Sequence, residues 1–371
     1  MSADSDFALL GHPSDYDHLS EILLRSRPGY GRDRLERYER TISSMIEWAP
    51  SYVSASDLVA PVPGQGARSG ILVVCPFLPS GLGTPAGVAR AYAKVVGGCR
   101  TARDHGARIV GLGGFTSIVA GQGERLRREV DVAVTSGNTL TAALALEQVE
   151  GLVARLGWDL SQRTVAIVGA TGDIGRACAL VLGPRVARLV LVGRSVTRLD
   201  SLAHDLGPAV STTTSRDVSD AHVASLVIAA TSATEPLIDE ADLRPDAVVC
   251  DVSYPKTVRR SPEPRDDVLV FAGGIAELPF ELDVSYLTRL PGASLVHGCY
   301  AETIALSMAG RDESFSIGQG RISPERISEM RALAGDAGIG PAPLLWGQHH
   351  LDEAEIDAFA GVASAHGEDA A

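Results

Sequence analysis

Cys299 is the residue of this 371-residue sequence that is best placed to act as a nucleophile. It stands in the run His297-Gly298-Cys299, directly before an apolar stretch with a helical composition. A thiol at the N-terminus of a helix is stabilised as a thiolate, which is its nucleophilic form. His297 would either activate the thiol or cap the loop. The alternative for Cys299 is a small buried side chain without chemistry.

A glycine-rich turn follows a predicted buried strand in the middle of the chain. After Thr164–Val168 come Gly169, Gly172 and Gly175, and then an Ala/Leu-rich helical segment. The first glycine permits a tight turn, the second lets the backbone approach a pyrophosphate, and the third lets helix and strand pack closely. The N-terminus of the helix would bind the anion. The pattern predicts a dinucleotide-binding Rossmann unit; a strand–helix turn without a ligand is the alternative.

The end of the next predicted strand indicates which dinucleotide is bound. An NAD enzyme usually has Asp or Glu there to hold the ribose 2′-hydroxyl, whereas this chain has Gly193 and Arg194, with Arg198 one turn later. A guanidinium matches a phosphate in a bidentate way, so NADPH is favoured over NADH. The predicted cofactor-binding residues are Gly169, Ala170, Thr171, Gly172, Asp173, Ile174, Gly175, Arg194, Ser195, Arg198, Thr231, Ser232, Ser253 and Gly273.

The order of apolar runs and helical segments predicts an α/β protein with three parts. Residues 1–160 are expected to form an N-terminal α/β domain that binds the substrate, in which residues 1–60 are helical and polar. Residues 161–297 are expected to form a Rossmann domain with a doubly wound parallel sheet that binds NADPH. Residues 298–371 are expected to be a C-terminal helical segment that carries Cys299. Small or polar residues end each predicted strand, as they do where α/β sheets bind ligands.

The composition is that of an ordinary globular protein, with 45% hydrophobic and 21% charged residues. A net charge of −13 argues against nucleic acid or an anionic membrane surface as a partner. No apolar run is long enough for a membrane span, and Met1–Asp6 lacks the basic start of a signal peptide. Five cysteines without a C-x-x-C pair fit a reducing cytoplasm and no metal site. We therefore expect a cytoplasmic protein.

An arginine-rich run near the N-terminus has two interpretations. Its arginines alternate with Asp33, Glu36 and Glu39, as on a solvated helix face. The run would otherwise form a local basic patch that suits an acidic partner. The arginines are Arg25, Arg27, Arg32, Arg34, Arg37 and Arg40.

A nucleophilic thiol beside a nicotinamide cofactor implies a covalent thioester that a hydride reduces to an aldehyde. The chain also resembles the long-chain acyl-[acyl-carrier-protein] reductases of cyanobacterial alkane biosynthesis, in segments of the same order and similar spacing from about residue 7 to 340. The matching segments are Phe7–His12, Gly113–Ile118, Thr135–Thr139, Val165–Gly175, Ser253–Lys256, Gly273-Gly274, Cys299–Glu302, Phe315–Gly318 and Ile322-Ser323.

The resemblance implies that Cys299 takes an acyl group from the phosphopantetheine of an acyl carrier protein, or from acyl-CoA, and that NADPH releases it as an aldehyde. Ser117, Asn138 and Lys256 are then candidates to polarise the thioester carbonyl, where charge builds during hydride transfer. Each could instead make only a loop hydrogen bond. Leu140 stands where relatives with fatty substrates carry a His, so an acyl group other than a long fatty chain is a second possibility.

Two other functions stay open at this stage. A non-covalent NADPH dehydrogenase of a small keto or hydroxy acid, with a shikimate-dehydrogenase-like fold, would not need Cys299. A nucleotide-binding interaction protein would bind the cofactor without turning over any thioester, and would lose its partner when the arginine-rich run is neutralised.

Overall fold

Two α/β units make up the structure, a computed structural model that describes residues 5–26, 29, 31–46, 48–263 and 265–368. Unit 1 contains Met1–Leu140, Ala276–Gln319 and Ala332–Gly340, and unit 2 contains Thr141–Ile275, Gly320–Arg331 and Pro341–Ala371. Among the described residues, no helix has both the length and the hydropathy required to cross a bilayer.

Twelve α-helices lie within the described part of the chain. They are α1 Tyr16–Ser26, α2 Arg32–Arg37, α3 Glu39–Ile46, α4 Pro85–Asp104, α5 Phe115–Val119, α6 Asn138–Arg155, α7 Asp173–Leu182, α8 Val196–Leu206, α9 Ser285–Thr288, α10 Gly298–Met308, α11 Pro324–Asp336 and α12 Glu353–Glu368.

Eighteen strands lie in the same described part, and several of them are only two residues long. They are β1 Phe7–Gly11, β2 Tyr52–Val62, β3 Gly66–Val74, β4 Ile109–Leu112, β5 Ala133–Thr135, β6 Thr164–Val168, β7 Arg188–Val192, β8 Thr212–Ser215, β9 Leu226–Ala229, β10 Ile238–Asp239, β11 Ala247–Asp251, β12 Val258–Arg259, β13 Val268–Ala272, β14 Ile275–Glu277, β15 Leu295–His297, β16 Gly340–Pro341, β17 Leu345–Trp346 and β18 His349–His350.

Unit 1 is built on a five-stranded sheet with the strand order β2-β3-β1-β4-β5. Strands β3, β1, β4 and β5 are parallel, and β2 joins the edge antiparallel to β3. Strand β1 lies in the middle and is buried along its whole length. Its neighbours end in polar or glycine-rich turns at one edge, where parallel sheets place ligands.

The sequence interpretation of residues 1–60 as helical is wrong for two segments. Phe7–Gly11 forms the central strand β1, and Tyr52–Val62 forms the long edge strand β2. Strand β1 is a run of five residues without alternation, and periodicity cannot distinguish such a short apolar run from a buried helical turn. Pairing with β3 and β4 makes it a strand.

Unit 2 is a doubly wound sheet of six parallel strands in the order β13-β11-β9-β6-β7-β8. From β6 the chain adds β7 and β8 on one side, and it then returns to add β9, β11 and β13 on the other side. This is the strand order of a Rossmann fold, with its switch point between β6 and β9. The predicted α/β class with a Rossmann sheet and C-terminal helices is therefore confirmed. Strand β8 was not expected, because Thr212–Ser215 is a polar edge segment.

The three-part division of the chain at residues 160 and 297 stays a prediction. Within unit 1, the helix of Cys299 packs on β1 and β4, which come from the first 112 residues of the chain. Spatial contacts thus place α10 in the same unit as the N-terminal sheet.

Candidate active site

Helix α10 brings Cys299 to the ends of the unit 1 strands. Nearly all of its residues are buried, including the polar Glu302, Thr303 and Ser307. The start of α10 can pack closely against the strand ends because glycines there leave space for it. A Cβ on Gly137, whose φ is +70°, would lie 2.1 Å from the Cα of Cys299, and one on Gly113 would lie 2.6 Å from the ring of Tyr300. Sequence spacing predicted the nucleophile at the start of a helix, and it is the second residue of α10.

Cys299 is half-buried, and desolvation is the largest influence on the acidity of its thiol in the free protein. Desolvation raises the pKa of Cys299 to about 11, although hydrogen bonds from the backbone N–H groups of Gly114 and Tyr300 oppose the rise. The nearby Glu302 carboxylate raises the pKa further. The expectation of a lowered thiol pKa at the helix N-terminus is therefore wrong for the free protein, because desolvation outweighs the helix end.

A buried histidine fixes the turn that supplies the Gly114 N–H group. His12 Nε2 accepts a hydrogen bond of 3.0 Å from the Phe115 N–H, and its Nδ1–H donates to the carbonyl of Pro13 at 2.9 Å. Its ring stacks on Phe77 with the centroids 4.8 Å apart. Burial lowers the pKa of His12 to about 4, so the ring is neutral at pH 7 and keeps Nε2 as an acceptor. The backbone beside Cys299 is thereby held in one conformation.

Glu302, one turn after Cys299, is a buried carboxylate that ties three segments together. Its Oε1 accepts hydrogen bonds from the hydroxyls of Thr135 and Ser316, the latter at 2.7 Å, and its Oε2 accepts from the Leu140 N–H at 2.9 Å. A buried charge requires such donors. Together these bonds hold the turn at Gly137 against the helix that carries the thiol.

We expect Glu302→Gln to lower the pKa of Cys299, because the substitution removes the negative charge that disfavours the thiolate. Glutamine can still accept the Leu140 hydrogen bond through its amide oxygen. The measurement is the rate of iodoacetamide alkylation at Cys299 as a function of pH, followed by peptide mass. Glu313→Gln, which removes a half-exposed carboxylate bound to Arg311, serves as the control. An unchanged alkylation profile in Glu302→Gln would contradict the assignment.

Three of the predicted catalytic side chains lie in unit 1 and have local hydrogen bonds. Ser117 Oγ donates to the Gly114 carbonyl at 2.9 Å, within its own helical turn. Asn138 Nδ2 donates to Gln122 Oε1 at 3.1 Å. His297 Nε2 lies 3.3 Å from the carbonyl oxygen of Thr288. Their roles in catalysis stay predictions.

Lys256, the fourth, belongs to unit 2. Its Nζ donates to the Asp251 carbonyl at 2.7 Å and lies 5.8 Å from the ring centre of Trp346. Burial lowers the pKa of Lys256, and the Asp251 charge opposes this shift. Its proposed contact with a thioester carbonyl also stays a prediction.

The glycine-rich turn of unit 2 forms a cradle between β6 and α7. Gly169 has φ +87°, and a Cβ there would lie 2.3 Å from the Ala230 carbonyl at the end of β9. A Cβ on Gly175 would lie 2.4 Å from the carbonyl oxygen of Gly169. The turn therefore lies at the switch point of the sheet, between the ends of β6 and β9. The first N–H groups of α7 have no partner within the helix and can bind an anion.

Two arginines lie close to this cradle, one exposed and one fixed by a hydrogen bond. Arg194 is exposed after β7, and within the described ranges its guanidinium makes no hydrogen bond or ion pair. Arg198 donates to the Thr171 carbonyl at 3.1 Å, and so is fixed beside the cradle. Among the other predicted residues, Ala170 and Asp173 are buried, whereas Ile174 and Ser195 are half-buried.

Two more predicted residues meet at the ends of β9 and β11. The Thr231 N–H donates to Ser253 Oγ at 3.0 Å, so both belong to one turn region. Ser232 next to them is exposed, and Gly273 packs against Cys250, whose Sγ would lie 2.3 Å from a Cβ there. The predicted cofactor residues thus line the carboxyl edge of the unit 2 sheet.

Two contributors to the thiol environment were missed by sequence reasoning. The Gly114 N–H was missed because backbone groups leave no signal beyond the Gly113-Gly114 pair, which did predict a turn at a strand end. The role of His12 was missed because nothing in the nearby sequence links it to Phe115, which is 103 positions away. His12 appeared only as the last residue of the matching segment Phe7–His12.

Comparisons with known proteins agree with this geometry. The shikimate/quinate 5-dehydrogenase family model matches residues 150–272, which lie in unit 2. The long-chain acyl-[acyl-carrier-protein] reductase of Synechococcus elongatus is 30% identical over 350 residues, covering 91% of this chain and 99% of that protein. The aminotransferase PigE of a Serratia species is 32% identical over 277 residues, covering 71% of this chain but only 31% of the longer protein. A solved glutamyl-tRNA reductase from Methanopyrus kandleri is 19% identical, with 78% and 59% of the two chains covered and a TM-score of 0.30.

The Rossmann unit and these relatives define an oxidoreductase that uses a nicotinamide cofactor. Because the similarity to the Synechococcus enzyme extends over almost the whole length of both chains, the chain belongs to the long-chain acyl-[acyl-carrier-protein] reductase family.

Proposed function

We propose that this protein reduces an acyl thioester to an aldehyde with NADPH, through an acyl group carried on Cys299. The donor is an acyl carrier protein or acyl-CoA. The first of these is the acyl carrier in the name of the Synechococcus relative. The observation that carries the proposal is the place of Cys299 at the start of a buried helix, with two backbone N–H donors at its sulfur.

The first step is an exchange of thioesters, which needs no net proton. The Cys299 sulfur attacks the carbonyl carbon of the donor, the C–S bond to the donor breaks, and the departing thiol takes the proton that Cys299 loses. The N–H groups of Gly114 and Tyr300, which donate to the Cys299 sulfur, stabilise its thiolate form as the proton leaves. Because the free thiol has a pKa of about 11, the proton must leave as the donor binds, and His297 is the proposed acceptor.

NADPH, when bound, supplies the hydride that converts the acyl-enzyme to aldehyde. The Cys299 sulfur leaves as a thiolate and recovers a proton. Gly169, Gly172 and Gly175 are proposed to hold the pyrophosphate, and Arg194 the 2′-phosphate. Ser117, Asn138 and Lys256 are proposed as further polar groups for the carbonyl.

Intact-protein mass spectrometry tests this sequence of steps. The protein is mixed with acyl-carrier and acyl-CoA thioesters of several chain lengths in the absence of NADPH. We expect a mass increase equal to one acyl group, which added NADPH removes as aldehyde. Aldehyde formation without any adduct under single-turnover conditions would contradict the covalent route. Cofactor binding without turnover of any thioester would favour a binding protein.

A second candidate is a non-covalent NADPH dehydrogenase of a small keto or hydroxy acid. The observation in its favour is the shikimate/quinate 5-dehydrogenase match, which covers the cofactor unit and stops before Cys299. It predicts oxidation or reduction of small acids that does not depend on the thiol.

We expect Arg194→Ser to lower kcat/KM for NADPH by about 10- to 100-fold and to leave kcat/KM for NADH nearly unchanged. The physical reason is the loss of a charge-assisted hydrogen bond to the 2′-phosphate. Arg188→Ser is the matched control, because Arg188 is also exposed but lies at the opposite end of β7, and it binds only Thr213 among the described residues. Equal losses with both cofactors would show that Arg194 does not read the phosphate.

A further inference from the structure

Three large apolar side chains of unit 1 are exposed in α3 and directly beside it. Tyr38 is 49% exposed, Met45 63% and Trp48 83%. Tyr38 lies directly before α3 and Met45 near its end, and the Trp48 N–H donates to the Met45 carbonyl at 2.9 Å, so the three follow one another along α3 and the turns at its two ends. Large apolar groups that cluster on a surface mark interaction sites more often than single exposed ones do. Leu35 and Ile46 of the same segment are already buried.

Arginines without partners accompany these side chains. Arg32, Arg34, Arg37 and Arg40 are exposed, and in the described part of the chain none of them makes an ion pair or hydrogen bond. Arg25 differs, because it pairs with Asp283 and lies over the ring of Tyr286. Arg27 lies outside the described residues. Arg34 stands four residues before Tyr38 and therefore shares its face.

A buried lysine fixes the end of this segment to the neighbourhood of the thiol. Lys94 Nζ donates to the carbonyl of Ile46, to that of Ala49 at 2.8 Å, and to that of Pro76 at 2.9 Å. The ammonium group thus neutralises the carbonyl end of α3. Pro76 precedes Phe77, the ring on which His12 stacks. A continuous set of contacts therefore joins the exposed face to the turn beside Cys299.

We propose that Arg34, Arg37, Tyr38, Met45 and Trp48 form the docking surface for the acyl-bearing carrier protein. The inference rests on the proposed function, and it names the face by which the macromolecular donor is held. The expected partner has an acidic surface with a few exposed apolar side chains next to its thioester arm. A chain with a net charge of −13 repels such a partner elsewhere, and unpaired arginines next to aromatic side chains provide both attraction and contact area.

An anionic membrane is the other occupant to consider for a face with arginine and tryptophan. The carrier is favoured because part of the apolar face is already buried in unit 1, which leaves three side chains. That is the size of a protein hot spot, whereas a membrane-bound helix buries a continuous apolar face.

The test compares two donors with the same acyl group, one on a carrier protein and one on N-acetylcysteamine. We expect Arg34→Glu/Arg37→Glu to raise KM for the carrier-bound donor at least tenfold with little change in kcat, and Trp48→Ser to do the same. The effect should be confined to the carrier-bound donor and should shrink at high salt. Arg100→Glu/Arg103→Glu makes the same charge change on α4 and should leave both donors unaffected.

Several outcomes would overturn the inference. Equal losses with both donors would indicate damage to unit 1, and an equal effect of the α4 control would indicate net charge alone. Binding of the wild type to phosphatidylglycerol vesicles that the arginine variant loses, without a change in carrier KM, would assign the face to a membrane. If the wild type reduces neither donor, the proposed function fails, which is a different result from an unchanged carrier KM in an active enzyme.

Discussion

Replacement of Cys299 by alanine is expected to lower kcat for aldehyde formation by a factor on the order of 10³ or more. Removal of a covalent nucleophile takes away the step on which the rest of the reaction depends, and the binding energy that remains cannot replace it. NADPH affinity, measured by fluorescence titration, should not change, because the cradle at Gly169 and Gly175 lies in unit 2. The measurement is steady-state NADPH oxidation with an acyl thioester.

Cys99→Ala is the matched control for this substitution. Cys99 is a fully buried thiol of α4 in unit 1. Burial raises the pKa of Cys99 far above neutral pH, so the thiol stays protonated and has no nucleophilic role. That variant should lose some stability and keep its turnover. Undiminished turnover in Cys299→Ala would exclude the covalent route and leave the non-covalent dehydrogenase.

Gly137→Ala is expected to have the second largest effect, on both stability and activity. The new Cβ would lie 2.1 Å from the Cα of Cys299 and 2.6 Å from its Cβ, so the start of α10 must move. The residue also has φ +70°, which L side chains rarely adopt. We expect a loss of about 2–5 kcal/mol in the free energy of unfolding, as strain and overpacking combine. We also expect kcat to fall by about 100-fold or more, since a displacement of 1 Å can cost that much.

Gly64→Ala separates the steric effect from the backbone effect. Gly64 has φ +72°, almost the same as Gly137, but nothing lies within 4 Å of its added Cβ. It should therefore cost only the left-handed strain, about 1–2 kcal/mol, and leave kcat unchanged. Urea unfolding and steady-state kinetics of both variants measure the difference. Equal losses in the two variants would show that the contact with Cys299 has no importance.

The elements of unit 2 were the most predictable from sequence. Strands such as Thr164–Val168 and Ala247–Asp251 are continuous β-branched or apolar runs that end in small residues, and parallel strands buried on both faces have that composition. The edge strand Thr212–Ser215 was missed because an edge position requires little apolar surface. In unit 1, the central strand Phe7–Gly11 was missed because its only neighbours in the sheet come from residues 70–74 and 109–112.

The sequence by itself determined the chemistry that this protein has available: a thiol at a predicted helix start, a glycine turn after a strand, and an arginine where NAD enzymes carry an acid. These features are local, because spacing along the chain sets them. Only the tertiary structure decided how acidic that thiol is and which groups surround it. Tyr300 and Glu302 lie on the same helix as Cys299, whereas the Gly114 N–H comes from a turn 185 positions before the thiol. Desolvation of the thiol depends on all the segments that pack around it. Long-range packing brought them to one place, and the pKa of the thiol is its consequence.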